Sequence, residues 1–270
     1  MICKIIDEFD LEKIAASGQC FRMGQLENGR FFVKAARRYL ELEQNDNHIT
    51  FYCSEKQFQE VWKDYFDLDT DYRAIRQSVD PKDDYMQRAA EMASGIRILK
   101  QDLWETLISF IISQQNNIPR IRKCVNTLCD RYGKEHRSRG GVCYRAFPTA
   151  DRLARCSEQE LREAGLGYRA RYIQKTAQAV ASGEINLEEI QNMPYEKAKE
   201  MLLRCSGVGI KVAECICLYA LHHIDAFPVD THIQDMLTQH YPEGFPFERY
   251  AGFAGILQQY GFFYELHGKT

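Results

Sequence analysis

The stretch Leu202 to Ile233, LLRCSGVGIKVAECICLYALHHIDAFPVDTHI, holds Gly207-Val208-Gly209, then Lys211, and nineteen positions later Asp230 behind Pro228-Val229. Helical periodicity on both sides of the glycines predicts a helix over 194–204, a sharp turn, and a second helix over 211–221. Glycine reaches backbone angles closed to other residues, so Gly207 and Gly209 are expected to make the turn and expose peptide N–H groups at the second helix's start. Those N–H groups suit a DNA phosphate. Lys211 falls in the first turn of that helix, where the positive end of the helix dipole disfavours an ammonium and favours a free amine. A P-loop needs Gly, four residues, then Gly-Lys-Ser/Thr, whereas Gly209 is followed by Ile210-Lys211-Val212, so nucleotide binding of that kind is excluded.

The chain has 270 residues, 45% of them hydrophobic and 12% aromatic, enough for one large or two modest cored domains. It holds no apolar run long enough to span a bilayer, and the start MICKIIDEFDLEK has acidic residues where a secretory signal would be basic and apolar. A cytoplasmic protein is expected, nucleoid-associated if the cell is prokaryotic, with its ten scattered cysteines reduced. The net charge of −3 hides a local excess: between Pro119 and Arg145 eight basic residues, Arg120 among them, face only Asp130 and Glu135. That stretch reads equally as a solvated surface or as a contact for a polyanion.

Alternating and aromatic patterns over 30–36, 39–44 and 48–53, with Asn28-Gly29 and Asn45-Asp46-Asn47 between them, predict an antiparallel meander. Further helices are expected over 56–66, 72–79, 82–94, 102–113, 118–132, 157–164, 168–182, 231–240 and 248–263, with a polar loop over 133–141. The fold class is α+β, with a β-rich domain at 1–80 and a helical domain at 81–270. Cys215, Cys217, His222, His223 and His232 do not have the spacing of a standard structural zinc site, so no metal is expected.

The hairpin, the lysine and the downstream Pro-Val-Asp together resemble the helix-hairpin-helix Gly/Pro/Asp superfamily of DNA glycosylases. The fuller text GVGIKVAECICLYAL…FPVDTHI is similar to its 8-oxoguanine branch. The resemblance implies a TBP-like N-terminal sheet domain, two helical lobes with DNA crossing the cleft between them, and a monomer acting on double-stranded DNA with an oxidised purine. The four-cysteine cluster of iron–sulfur relatives is not matched near the C-terminus, so no cofactor is expected.

Cleaving an N-glycosidic bond takes a nucleophile for C1′ and a negative charge against the cationic sugar; Lys211 and Asp230 would supply them, Asp230 also capping the helix from Thr231. An amine nucleophile leaves a Schiff base that permits β-elimination of the 3′ phosphate, so glycosylase and lyase activities would coexist. The resemblance puts Cys215, one turn after Lys211, and Phe262 on either face of an extruded base, and Gln258 on its Watson–Crick edge. A second register would put Gly255 and Gln259 in the last two places; it supplies neither amide nor ring there. Gly18, in Ala16-Ser17-Gly18-Gln19, would offer a carbonyl to the N–H that 8-oxoguanine carries at position 7 and guanine does not. His232 would reach a phosphate. SQQNNIPR at 113–120 and GLGYRARY at 165–172 match the segments that handle the orphaned partner base: Asn117 and Arg120 at that site, Tyr168 as wedge, Arg169 on cytosine. Gln114-Gln115 replaces Ser-Asn of animal relatives, which leaves the gap-filling side chain open. The rivals are an alkylpurine or mismatch glycosylase on the same scaffold and a helix-hairpin-helix binding module without chemistry.

Overall fold

The computed structural model describes residues 1–268. Five antiparallel strands, β1 (Ile2–Ile5), β2 (Met23–Gln25), β3 (Phe31–Ala35), β4 (Arg38–Asn45) and β5 (His48–Phe51), form one sheet in the order β1-β5-β4-β3-β2. The expected meander is present; the edge strands β1 and β2 are additions that the sequence pattern did not signal. Alternation puts Val33, Leu40, Leu42, Ile49 and Phe51 on the buried face, and the helical stretch 55–65 covers it with Phe58, Trp62 and Tyr65. Each such fully buried large apolar side chain contributes about 1.5–3 kcal/mol.

The remainder is helical and surrounds a second, larger apolar cluster that runs from Phe21 to Phe263. The arginine of Arg97 ties the two parts: its guanidinium donates to the carbonyls of Asp7, Glu8 and Asp67. Helices at Leu103–Ser113, Ile118–Tyr132, Arg169–Ala181, Tyr195–Leu203, Ile210–Tyr219 and Thr231–His240 lie where periodicity put them. Two regions differ. The expected loop at 133–141 folds partly into a hairpin, β6 (Glu135–Arg137) on β7 (Cys143–Arg145), anchored by the Tyr144 hydroxyl on the Arg37 carbonyl. The last helix spans Ala254–His267 rather than 248–263. Residues 246–253 instead fold as successive turns, held by the Asp225 carboxylate on the Gly252 N–H and by packing of Phe245, Phe247 and Tyr250. No described helix is long and apolar enough to cross a membrane.

Candidate active site at the helical hairpin

Pro194 opens the helix Tyr195–Leu203, and the chain reverses at Gly207 before Ile210–Tyr219 begins. Only one of the two glycines uses its freedom. Gly207 sits at φ +81°, and a Cβ there would lie 2.6 Å from Tyr172. Gly209 is extended and instead opens onto empty space, so the chain before Ile210 leaves room for a ligand at the helix start.

Lys211 and Asp230 line one cleft of about 770 Å³, together with Gly18, Asn117, Gly209, Cys215, His232, Gln258 and Phe262. The Lys211 amine lies 5.5 Å from the Phe110 ring centroid, and Phe110 in turn stacks on Tyr219 at 5.5 Å. Burial pushes the Cys215 thiol up to about 11, against the opposing charge of Lys211, so the thiol stays neutral beside the amine. Asp230 caps the helix Thr231–His240 by accepting from the Ile233 N–H at 3.0 Å. Its loop is tied back to the lysine's helix through Glu214, which accepts from the Phe227 N–H and the Tyr195 hydroxyl and pairs with Lys199. Amine and carboxylate therefore sit on two elements braced against each other.

Gln258 is 3% exposed and donates its amide N–H to the Pro228 carbonyl at 2.8 Å. Its Oε1 has no hydrogen-bond partner among the described residues. A buried amide oxygen left unpaired in a cleft wall is open to a donor from outside the chain. Gly18 stands at φ +79°, where a Cβ would press on Phe262 at 3.0 Å, so the glycine lets the backbone meet the ring. His232 packs edge-on against the same ring. Gly255 lies in the packed interior and Gln259 is fully buried with its amide already bonded, so the second register finds no cleft-lining pair.

Outside the lining are Gly207, Arg120, Tyr168 and Arg169. Asn117 caps the helix Ile118–Tyr132 through its side-chain oxygen, with exposed Arg120 one turn on. Tyr168 is 44% exposed, with its hydroxyl donating to the Gln114 carbonyl. Arg169 departs from expectation. It is 4% exposed, and its guanidinium donates to the carbonyls of Gln114 and Gln115. An arginine so bonded organises the 114–117 loop from behind and does not present a free fork to a base. Gln114 is also committed, with its amide on the carbonyls of Ile111 and Gly207, while Gln115 is exposed at φ +47°. The basic run thins out likewise: Arg122 bonds the Ala15 carbonyl and Arg145 pairs with Glu135.

Phe110 and Tyr219 were not singled out from the sequence. Tyr219 continues the face of Lys211 and Cys215 by one more turn and could have been found that way. Phe110, inside an apolar run, carried no such signal.

Residues 1–107 match the 8-oxoguanine DNA glycosylase N-terminal domain, and residues 108–244 match the HhH-GPD superfamily of base excision DNA repair proteins. The N-glycosylase/DNA lyase of Saccharomyces cerevisiae is 40% identical over 189 residues, 66% of this chain and 50% of that protein. The Arabidopsis thaliana N-glycosylase/DNA lyase OGG1 is 35% identical over 196 residues, 71% and 50%. The chain thus spans about half the length of these curated relatives. Among solved structures, the Clostridium acetobutylicum 8-oxoguanine glycosylase/lyase, in complex with double-stranded DNA containing cytosine opposite 8-oxoguanine, superposes with a TM-score of 0.90. It is 34% identical, with 98% of this chain and 94% of that chain covered.

Proposed function

Because the chain belongs to the HhH-GPD superfamily of base excision DNA repair proteins, we propose that it excises 8-oxoguanine from duplex DNA, preferentially opposite cytosine, and nicks the resulting abasic site. One observation carries the reading: a single cleft brings the Lys211 amine, the Asp230 carboxylate and the unpaired Gln258 oxygen together.

In this reading the lesion nucleotide is extruded into the cleft. The Lys211 lone pair forms a bond to C1′ as the C1′–N9 bond breaks, and the electron pair leaves with the base. Asp230 stabilises the cationic sugar without itself forming a bond. Ring opening gives a protonated Schiff base, whose positive nitrogen acidifies the C2′ proton; loss of that proton expels the 3′ phosphate. Phe262 and Cys215 flank the base, Gln258 accepts from its Watson–Crick edge, and the Gly18 carbonyl accepts from the position-7 N–H. Tyr168 enters the stack, Arg120 contacts the partner base, and Gln115 is the side chain available to fill the gap, since Gln114 is committed. Lesions excised by water attack need no amine, so Lys211 favours this branch over the alkylpurine alternative.

Borohydride added during turnover on an 8-oxoguanine·cytosine duplex is expected to give a covalent adduct mapping to Lys211. Lys211→Gln should bind that duplex, because phosphate contacts come from backbone N–H groups and arginines, and lose both excision and trapping. Excision by the wild type without any trapped adduct would point to water as the nucleophile and remove the lyase step.

A further inference from the structure

The cleft wall that carries Gly18 is held by a device outside the lining. Gln259, on the last helix and fully buried, accepts from the Tyr219 hydroxyl at 2.7 Å and donates to the Ser17 carbonyl at 3.0 Å. One side chain therefore joins the helix of Lys211, the helix of Gln258 and Phe262, and the Ser17-Gly18 turn. On the other flank, the Gln19 carbonyl accepts from Gln101 at 2.8 Å, and the Gln19 amide is itself bonded to the Ser17 hydroxyl and to the backbone of residues 97 and 99. The carbonyls before and after Gly18 are thus each capped by a glutamine, and the Gly18 carbonyl lies between two fixed peptides.

We propose that Gln259 is a positioning residue for base selection: it fixes the Ser17–Gly18 peptide so that the Gly18 carbonyl meets a purine N–H at position 7 and is left unpaired by a bare ring nitrogen. This rests on the function proposed above. A loose glycine carbonyl could rotate away from guanine's N7 and escape the mismatch, so selectivity depends on the anchor as much as on the acceptor. The two bonds also make the anchor respond to Tyr219, which lines the cleft beside the lysine's neighbour Phe110.

The test compares wild type with Gln259→Met, which keeps side-chain length and removes both bonds. Three measurements are made: binding to an 8-oxoguanine·cytosine duplex, binding to the matching guanine·cytosine duplex, and nicking of a preformed abasic site. The variant is expected to lower the lesion-to-guanine binding ratio about ten-fold while abasic nicking, which involves no base, stays within about two-fold. An unchanged ratio, or nicking that falls in step with it, overturns the positioning role, the second outcome marking general disruption. If Gln259→Met does not fold, Gln259→Ala, which leaves space for water, decides by the same ratio. A wild type with no lesion preference would instead overturn the proposed function itself, which separates the two failures.

Discussion

Phe262 shows how much one residue is asked to do: its ring meets Gly18 on one side, stands nearly perpendicular to the His232 ring, and lines the cleft one turn from Gln258. Stacking a base on an aromatic side chain contributes roughly 1–3 kcal/mol, so Phe262→Ala should slow 8-oxoguanine excision on the order of 10- to 100-fold. Nicking of a preformed abasic site, where nothing stacks, should change far less; equal losses on the two substrates would sink the base-stacking role. The choice of Cys215, Gln258 and Phe262 came from the family resemblance; that Cys215 shares a helix face with Lys211, and Phe262 one with Gln258, was legible from helical spacing. Arg169 was not, because spacing gives a long side chain's reach and not its direction. Its neighbours Gln114 and Gln115 offer two backbone carbonyls on the inner side, and these take the guanidinium that the sequence motif assigned to DNA.

At the scale of the element, Asp230 both caps a helix and faces the cleft, and the two tasks can be separated. Asp230→Asn keeps a good N-cap and removes the charge, so folding stability should hold while excision collapses. Asp230→Ala should lose excision and about 1 kcal/mol of stability as well. Urea denaturation of both variants beside the excision assay checks this, and equal stability of the two would remove the cap from the account. The hairpin helices and the capped helices at Ile118 and Thr231 were legible from local chemistry alone, since Gly, Pro, Asn and Asp stand at their ends. The start of the last helix was not, because Asp225 captures the Gly252 N–H from 27 residues away. Nor was the β6–β7 hairpin, which is anchored through the Tyr144 hydroxyl to the Arg37 carbonyl far back in the chain.

Across the whole molecule, Asp67 links the sheet unit to the end of the Lys211 helix. Burial pushes its carboxyl up, but the His222 bond and charge, with bonds from Tyr72 and Thr70, outweigh that and hold it well below its ordinary 3.8. A depressed folded-state pKa means stabilisation present above the ordinary value and lost as pH falls toward the folded one. The stability gap between wild type and Asp67→Asn should therefore be open at neutral pH and narrow steadily as pH falls below about 4. A gap that stays the same size from about pH 5 down to about pH 2 in urea titrations would assign it to packing. A last consequence comes from the Gln114 amide on the Gly207 carbonyl, the Gln114 carbonyl under Arg169, and the Tyr172 ring wedged between Gly207 and Tyr168. These contacts join the Gly207 turn and the exposed tyrosine like the two jaws of one caliper. If the turn grips a backbone while the tyrosine enters the stack, the span between them is set by protein, and the duplex must yield. The bending work would then fall on the DNA, and a flexible or already weakened base step would be the one that fits the gauge.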